Sequence, residues 1–196
     1  MSIMLRFRAI VTACARSLAP SQSERPTVRA VRFKRSGERR RMSTIHFKLT
    51  TTATPAQFIA GLTDFGPGRE KIFGNSTDGY LKVHKKSTNY ADVTEGSGGI
   101  WERQSYNWSD PTHIVLTTTD SNLCGGRSGH TYTLTRQPNG TTDIGVVIVR
   151  DGKNFKGRVL GALLGIVGKG QLEKWFANTL KAIEARDYKI SDTAKA

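Results

Sequence analysis

The 196-residue chain has only two cysteines, and their positions exclude two common uses of that residue. Cys14 and Cys124 form neither a metal-ligand spacing nor a disulfide framework. The four histidines of the chain likewise show no spacing typical of a metal site. We therefore expect a protein of a reducing compartment, the cytoplasm, that uses no metal and no other cofactor.

The chain also lacks a long apolar run. Its most apolar stretch, 159–167, is about half the length that a bilayer requires, so no transmembrane segment is predicted. There is no nucleophile elbow and no phosphate-binding glycine loop. The glycine-rich stretch 96–99 lacks the strand–helix context of such a loop, and it predicts a hairpin instead.

Positive charge is concentrated at the amino terminus. The formal net charge is +14, and residues 1–41 hold eleven arginines and lysines against two glutamates, which leaves only +5 for residues 42–196. This composition predicts a disordered arm, which could bind nucleic acid or an anionic surface or act as a targeting segment. We favour a translated upstream extension, because Met42-Ser43-Thr44 has the form of a second start directly before the first strand. Nucleic acid is therefore not expected as a partner.

After the arm, the sequence predicts one strand and two short helices. Apolar residues alternate over 44–51, as in a strand with one buried face. Thr54, Pro55 and Gln57 then mark a helix start, with an N-cap, a proline at the first helical position and a capping box. A Gly-Pro-Gly turn separates this helix from a second short helix over 69–73.

The middle of the chain predicts an antiparallel sheet. Six strands are expected, over 80–86, 90–95, 100–108, 113–119, 129–136 and 142–150. Short segments rich in Gly, Asn, Asp, Ser and Pro separate them, as in hairpins. Short connections imply antiparallel neighbours, and a sheet of this size curls strongly.

The chain closes with a long helix over 154–186, for which Asn154 is a suitable N-cap. Gly157, Gly161 and Gly165 are spaced four residues apart, so they share one face and leave it without side chains. The apolar stripe changes direction in the middle of the helix, and two glycines stand at that point. We therefore expect a break over 168–170 that could act as a hinge.

This order of elements resembles the helix-grip fold, and more closely the SRPBCC superfamily. That superfamily groups START lipid-transfer domains, the birch-pollen allergen type and polyketide cyclase/dehydrase-like proteins. The stretches that carry the resemblance are Thr54-Pro55-Ala56-Gln57-Phe58, the strand pair around 106–111, Asp120-Ser121-Asn122, Asn139-Gly140-Thr141-Thr142 and the helix end Ala182-Ile183-Glu184. The prediction is an α+β protein, with residues 42–190 as one helix-grip domain and 191–196 as a frayed end.

The resemblance implies that the curved sheet wraps around the last helix and encloses a cavity for a small hydrophobic ligand. The expected ligand is a lipid, an isoprenoid or a polyketide-like ring compound. Strand alternation and helix spacing then select the residues expected to line the cavity: Gln104, Tyr106, Trp108, Leu116, Thr118, His130, Tyr132, Leu134, Val146, Ile148, Leu160, Leu164, Trp175 and Thr179. On strand 100–108 this choice depends on register, because a shift by one residue would expose the opposite set.

A carrier without catalytic activity is the leading hypothesis, and an enzyme of the same fold is the alternative. A cyclase, dehydratase or hydrolase would need a buried acid–base pair. His130 is the only catalytic candidate, paired with Tyr132 or with Glu102. A single histidine near a strand start is more often only hydrogen-bonded, so we do not assign it a catalytic role.

Overall fold

The structure, a computed structural model, describes residues 42–73 and 80–186; within 163–167 it describes the backbone but not the side chains. The elements in chain order are β1 (Met42–Thr51), α1 (Pro55–Leu62), α2 (Arg69–Ile72), β2 (Lys82–Lys86), β3 (Tyr90–Ser97), β4 (Ile100–Asp110), β5 (His113–Ser121), β6 (Gly129–Arg136), β7 (Thr142–Asp151) and α3 (Phe155–Glu184). The predicted order and the α+β class are confirmed. The basic arm and the predicted frayed end lie outside the described residues.

The seven strands form one curved antiparallel sheet in the order β1-β7-β6-β5-β4-β3-β2. Six of them follow one another as hairpins, and β1 pairs with β7 from Met42↔Asp151 to Thr51↔Thr142. The pairing of β4 with β5 shifts between Arg103 and Gln104. Such an irregularity bends a sheet locally, and here it lies on the strands that carry the polar side chains described below.

Helix α1 begins where the sequence predicts. The Gln57 backbone N–H donates to Thr54 Oγ1 at 3.2 Å, and the Thr54 N–H donates to Gln57 Oε1 at 2.8 Å. These two bonds form the capping box, which satisfies two backbone donors that the helix itself cannot satisfy. The cap fixes the angle at which α1 leaves β1, so that Phe58 is fully buried against the sheet.

Aromatic side chains fill one region of the interior, between the sheet, α1 and the second half of α3. The Tyr132 ring on β6 is stacked on Phe176 of α3, with centroids 5.7 Å apart. Phe58 meets both rings edge-on, at 5.5 Å and 6.1 Å, and Phe47 of β1 meets Phe176 at 5.9 Å. Packing of this kind contributes beyond the area it buries, and it anchors the second half of α3.

The predicted break in the last helix is wrong, because α3 runs without interruption over Phe155–Glu184. A glycine inside a helix costs roughly 1 kcal/mol relative to alanine, which weakens the helix but does not end it. Packing of the second half against the core offsets that cost. A hinge at 168–170 therefore has no support in the fold.

The continuity of α3 predicts the effect of Gly170→Ala. A Cβ atom at this position meets no other atom within 4 Å, so the substitution adds helix propensity without a clash. We expect the free energy of unfolding to rise by about 0.5–1 kcal/mol. Urea unfolding followed by circular dichroism measures it. An unchanged or lower stability would indicate a chain that is not helical at this point.

Candidate functional site

The inner face of the sheet carries the residues that alternation selects. On β4, Gln104 and Tyr106 are buried while Asn107 is exposed, which identifies the inner face of this strand. The other predicted lining residues that are buried on the inner face are Leu116, Thr118, Tyr132, Leu134, Val146 and Ile148. Whether any of them contacts a ligand stays a prediction.

The remaining predicted residues lie in other settings. Trp108 is half-buried, and its indole N–H donates to the carbonyl of exposed Thr88 at 2.8 Å, which places it at the rim. The Thr179 hydroxyl donates to the carbonyl of Ile72 at 3.1 Å and ties α3 to α2. Leu160 and Trp175 are half-buried, and the side chain of Leu164 lies outside those the structure describes.

Polar side chains interrupt the apolar inner face along a connected line, called here the polar strip: Glu102, Gln104, His130, Tyr132 and Arg150. The Gln104 amide donates to Glu102 Oε2 at 3.0 Å, and Arg150 Nη1 pairs with the same oxygen at 3.5 Å. Arg150 Nη2 lies 2.7 Å from His130 Nε2, and His130 Nδ1 lies 3.3 Å from the Tyr132 hydroxyl. The strip thus joins β4, β6 and β7 by side-chain contacts.

The contact with Arg150 determines the state of His130. A guanidinium offers only donors, so Nε2 must accept and the imidazole must carry its single proton on Nδ1. Burial and the positive charge of Arg150 lower the pKa of His130 well below its usual value, which agrees with the neutral form. Of the two partners predicted for His130, Tyr132 does contact it, whereas Arg150 lies between His130 and Glu102.

The neutral histidine in turn orients Tyr132. His130 Nδ1–H donates to the phenol oxygen, so the phenol's own proton remains available to another acceptor. Burial raises the pKa of Tyr132, which keeps that proton in place at physiological pH. Tyr132 is therefore a buried, neutral hydrogen-bond donor at the end of the polar strip.

A second group of polar residues lies beside the strip and is called here the Arg69 cluster: Arg69, Glu95 and Tyr106. Arg69 reaches from α2 to Glu95 Oε1 on β3 at 2.8 Å, and Tyr106 donates to the same oxygen at 2.6 Å. The side chains of this ion pair are only 1% and 3% exposed. The rings of Phe65 and Phe73 lie 4.5 Å and 4.6 Å from the guanidinium carbon. The cluster fixes α2 on the sheet.

Thr118 carries the one hydroxyl of the inner face that lacks a partner among the described residues. The residue is 1% exposed, and its Oγ1 makes no hydrogen bond. It follows Ile114 and Leu116 on the inner face of β5 and lies opposite Gln104 in the register. A buried hydroxyl without a partner costs free energy, so it marks a place where a bound molecule could supply the missing bond.

Cys124 lies beside the polar strip but is not a nucleophile. Burial, together with the carboxylate of Glu102, raises the pKa of its thiol to about 12. The residue therefore stays a neutral thiol, whereas a reactive cysteine requires the thiolate.

The first half of α3 approaches the sheet through glycines. A Cβ atom on Gly157 would lie 2.0 Å from the carbonyl oxygen of Leu123, so the helix backbone contacts the loop between β5 and β6 there. At Gly161 a Cβ atom would lie 3.9 Å from Cβ of Ser43 and 4.0 Å from Cβ of Arg150. The helix therefore faces the Arg150 end of the polar strip with a residue that has no side chain, as the glycine spacing predicted for this face.

Two further observations concern metal ligands and membrane-spanning helices. Across residues 42–73 and 80–186, no three side chains of His, Cys, Asp or Glu come together as a metal site would require. Within the same residues, no helix combines the length and hydropathy needed to cross a bilayer.

Sequence reasoning missed three of the charged groups that organise this interior: Arg69, Glu95 and Arg150. Arg69 and Glu95 belong to distant segments and are each buried only because they meet, which no local pattern reveals. The sequence did contain a signal for Arg150, because the alternation that places Val146 and Ile148 on the inner face reaches Arg150 two residues later.

Comparison with solved structures identifies the fold. The Zhui aromatase/cyclase from Streptomyces sp. R1128 matches with a TM-score of 0.58 and 13% identity, over 74% of this chain and 94% of that one. A START superfamily protein from Mycobacterium smegmatis matches with a TM-score of 0.55 and 9% identity, over 71% of this chain and 95% of that one. Truncated norcoclaurine synthase from Thalictrum flavum matches with a TM-score of 0.55 and 10% identity, over 74% of this chain and 95% of that one.

No protein-family model and no curated protein sequence matches the chain. At identities this low, the structural matches establish the fold and not the activity. The chain has the helix-grip fold that its sequence pattern predicts, and it shares this fold with the three solved structures.

Proposed function

We propose that the protein binds one small, largely apolar ligand between the inner face of the sheet and the first half of α3. The ligand class is a lipid, an isoprenoid or a polyketide-like ring compound. The protein would act as a carrier in the cytoplasm, and it would need neither a metal nor a cofactor. Binding would be driven by burial of apolar ligand surface, worth about 25 cal/mol per Å² before the costs of association.

The unpartnered Thr118 hydroxyl carries the proposal. The residue is 1% exposed, lies on the inner face of β5 and is the register partner of Gln104 in the polar strip. Ligand sites commonly combine apolar walls with a few oriented polar groups. Gly161 faces Ser43 and Arg150 at the distance of ordinary van der Waals contact, so a side chain longer than a methyl group at this position would project among the residues of the proposed site.

The structural relatives support this class of function by analogy of fold. They include a protein named as an aromatase/cyclase, one named as a START superfamily protein and one named as norcoclaurine synthase. Shared folds host different chemistries, so the argument for this chain depends on its own interior.

The substitution Gly161→Leu tests the location of the site. A leucine here would extend from a position that faces Arg150 and Ser43 into the proposed site, and its helix propensity is higher than that of glycine. We expect the affinity for the uncharged fluorescent probe N-phenyl-1-naphthylamine to fall at least roughly tenfold, about 1.4 kcal/mol, while the fold is retained. Fluorescence titration measures affinity, and circular dichroism monitors the fold.

Gly170→Leu is the matched control, because it makes the same change on the same helix where no atom lies within 4 Å. It should leave probe affinity within about twofold of the wild type. Equal probe affinity for both variants and the wild type would place any binding elsewhere and would refute the proposed location.

An enzyme of the same fold is the second candidate, and the contact between His130 and Tyr132 favours it. The imidazole lone pair is occupied by Arg150, so His130 is not a free general base. Its role would be to orient Tyr132, whose proton could be donated to a carbonyl oxygen of the substrate. If the protein is such an enzyme, Tyr132→Phe abolishes conversion of the bound compound; a bound compound recovered unchanged from wild-type protein supports the carrier.

A further inference from the structure

We propose that the site selects uncharged compounds that carry a hydrogen-bond-accepting oxygen, such as a ketone, and rejects carboxylates of the same shape. This inference rests on the proposed function, whose ligand class it narrows. It follows from two properties of the interior, the pairing of its charges and the hydrogen-bonding capacity that remains.

The charges that reach the interior are already paired. Among the described residues, the two arginines on the inner side are Arg69 and Arg150, and each faces a carboxylate. Arg69 lies 2.8 Å from Glu95, and Arg150 lies 3.5 Å from Glu102. His130 is neutral because it accepts from Arg150. An anionic ligand would therefore meet two carboxylates and no unpaired cation, and burying an unpaired charge is costly.

Along the polar strip and β5, the hydrogen-bonding capacity that remains consists of hydroxyl protons; in the separate Arg69 cluster, Arg69 Nε also has no partner among the described residues. Tyr132 accepts from His130, so its own proton has no acceptor among the described residues. Thr118 Oγ1 has no partner among them at all. Both residues are at least 95% buried. A ligand oxygen that accepts a hydrogen bond satisfies such groups, whereas a hydrocarbon leaves them unpaired.

Three ligands of one shape test the selection: 2-acetylnaphthalene, 2-isopropylnaphthalene and 2-naphthoate. They present a ketone, a hydrocarbon and a carboxylate on the same ring, and each can be titrated by displacement of N-phenyl-1-naphthylamine at neutral pH. We expect 2-naphthoate to bind at least roughly 100-fold more weakly than the ketone, because its charge finds no unpaired cation.

Two variants attribute the preference to specific atoms. Tyr132→Phe removes only the phenol oxygen, and Thr118→Val removes only the hydroxyl oxygen while keeping the shape. Each is expected to weaken ketone binding about five- to tenfold and to leave hydrocarbon binding within about twofold. Tyr90→Phe is the matched control, because Tyr90 precedes buried Ala91 on β3 and points to the outer face.

The outcomes separate the two proposals. If none of the three ligands displaces the probe, both the proposed function and this inference are refuted. If the hydrocarbon binds but the carboxylate binds as tightly as the ketone, the site exists and only the selectivity is wrong. If Tyr132→Phe and Thr118→Val each weaken the binding of the ketone and of the hydrocarbon equally, these side chains support the fold and do not hydrogen-bond the ligand oxygen.

Discussion

Glu95→Gln is expected to lower the free energy of unfolding by about 3–5 kcal/mol, because it leaves the buried Arg69 guanidinium without its counter-ion. The amide keeps the shape of the carboxylate, so little packing is lost. Arg69 lies among the rings of Phe65 and Phe73 and cannot reach water without moving α2. Urea unfolding followed by tryptophan fluorescence measures the loss.

The same strand supplies the control. Asp92 pairs with Arg103 on the outer face of β3, at 2.8 Å between Nε and Oδ1, and the Arg103 side chain is 43% exposed. Exposed pairs contribute little, so Asp92→Asn should have a much smaller effect than Glu95→Gln. The double variant Arg69→Met/Glu95→Leu should recover part of the loss, because it removes both charges together. Equal effects at Glu95 and Asp92 would contradict a desolvated ion pair.

Gly157→Ala is expected to destabilise the fold by about 1–3 kcal/mol or more, since a methyl group there overlaps backbone rather than a flexible side chain. The Cβ atom would lie 2.0 Å from the carbonyl oxygen of Leu123 and 3.3 Å from Cα of Gly152. Relief would require the start of α3 to move away from the turn before it. Thermal and urea unfolding of the purified variant measure the effect.

Gly161→Ala, one turn further along α3, is predicted to have the opposite sign. Its Cβ atom would make ordinary contacts at 3.9 Å and 4.0 Å, so the gain in helix propensity of about 0.5–1 kcal/mol remains. Comparing Gly157→Ala with Gly161→Ala separates the effect of steric overlap from the effect of helix propensity. Both variants make the same substitution on the same face of α3. If both variants were equally stable, α3 would not lie against the chain as described.

The sequence predicted the elements of this fold well, for reasons visible in individual residues. Strand alternation and the capping box of Thr54 and Gln57 are local signals, and the structure contains both. The break at 168–170 was predicted from two glycines and a change in the direction of the apolar stripe, and it is wrong. Packing of Phe176 against Tyr132 and Phe58, which lie far away in sequence, supports the helix beyond its propensity.

The candidate site was predictable only in part, because its polar groups are brought together by register. Alternation identified Gln104, Thr118, His130 and Tyr132 as inward-facing. It did not show that Arg150 would engage the lone pair of His130, since that contact depends on the pairing of β6 with β7. The state of His130, and hence the availability of the Tyr132 proton, follows from that long-range contact.

The central claim, that a small apolar ligand binds under the first half of α3, is tested most directly by native mass spectrometry of the protein purified from its own source. The expected result is a complex with one small molecule per chain, which denaturation releases for identification as an apolar ring compound or lipid. It also predicts that Gly161→Leu, prepared in the same way, carries no such molecule. An empty wild-type protein that also fails to bind N-phenyl-1-naphthylamine, or a Gly161→Leu variant that retains the compound, would contradict the account.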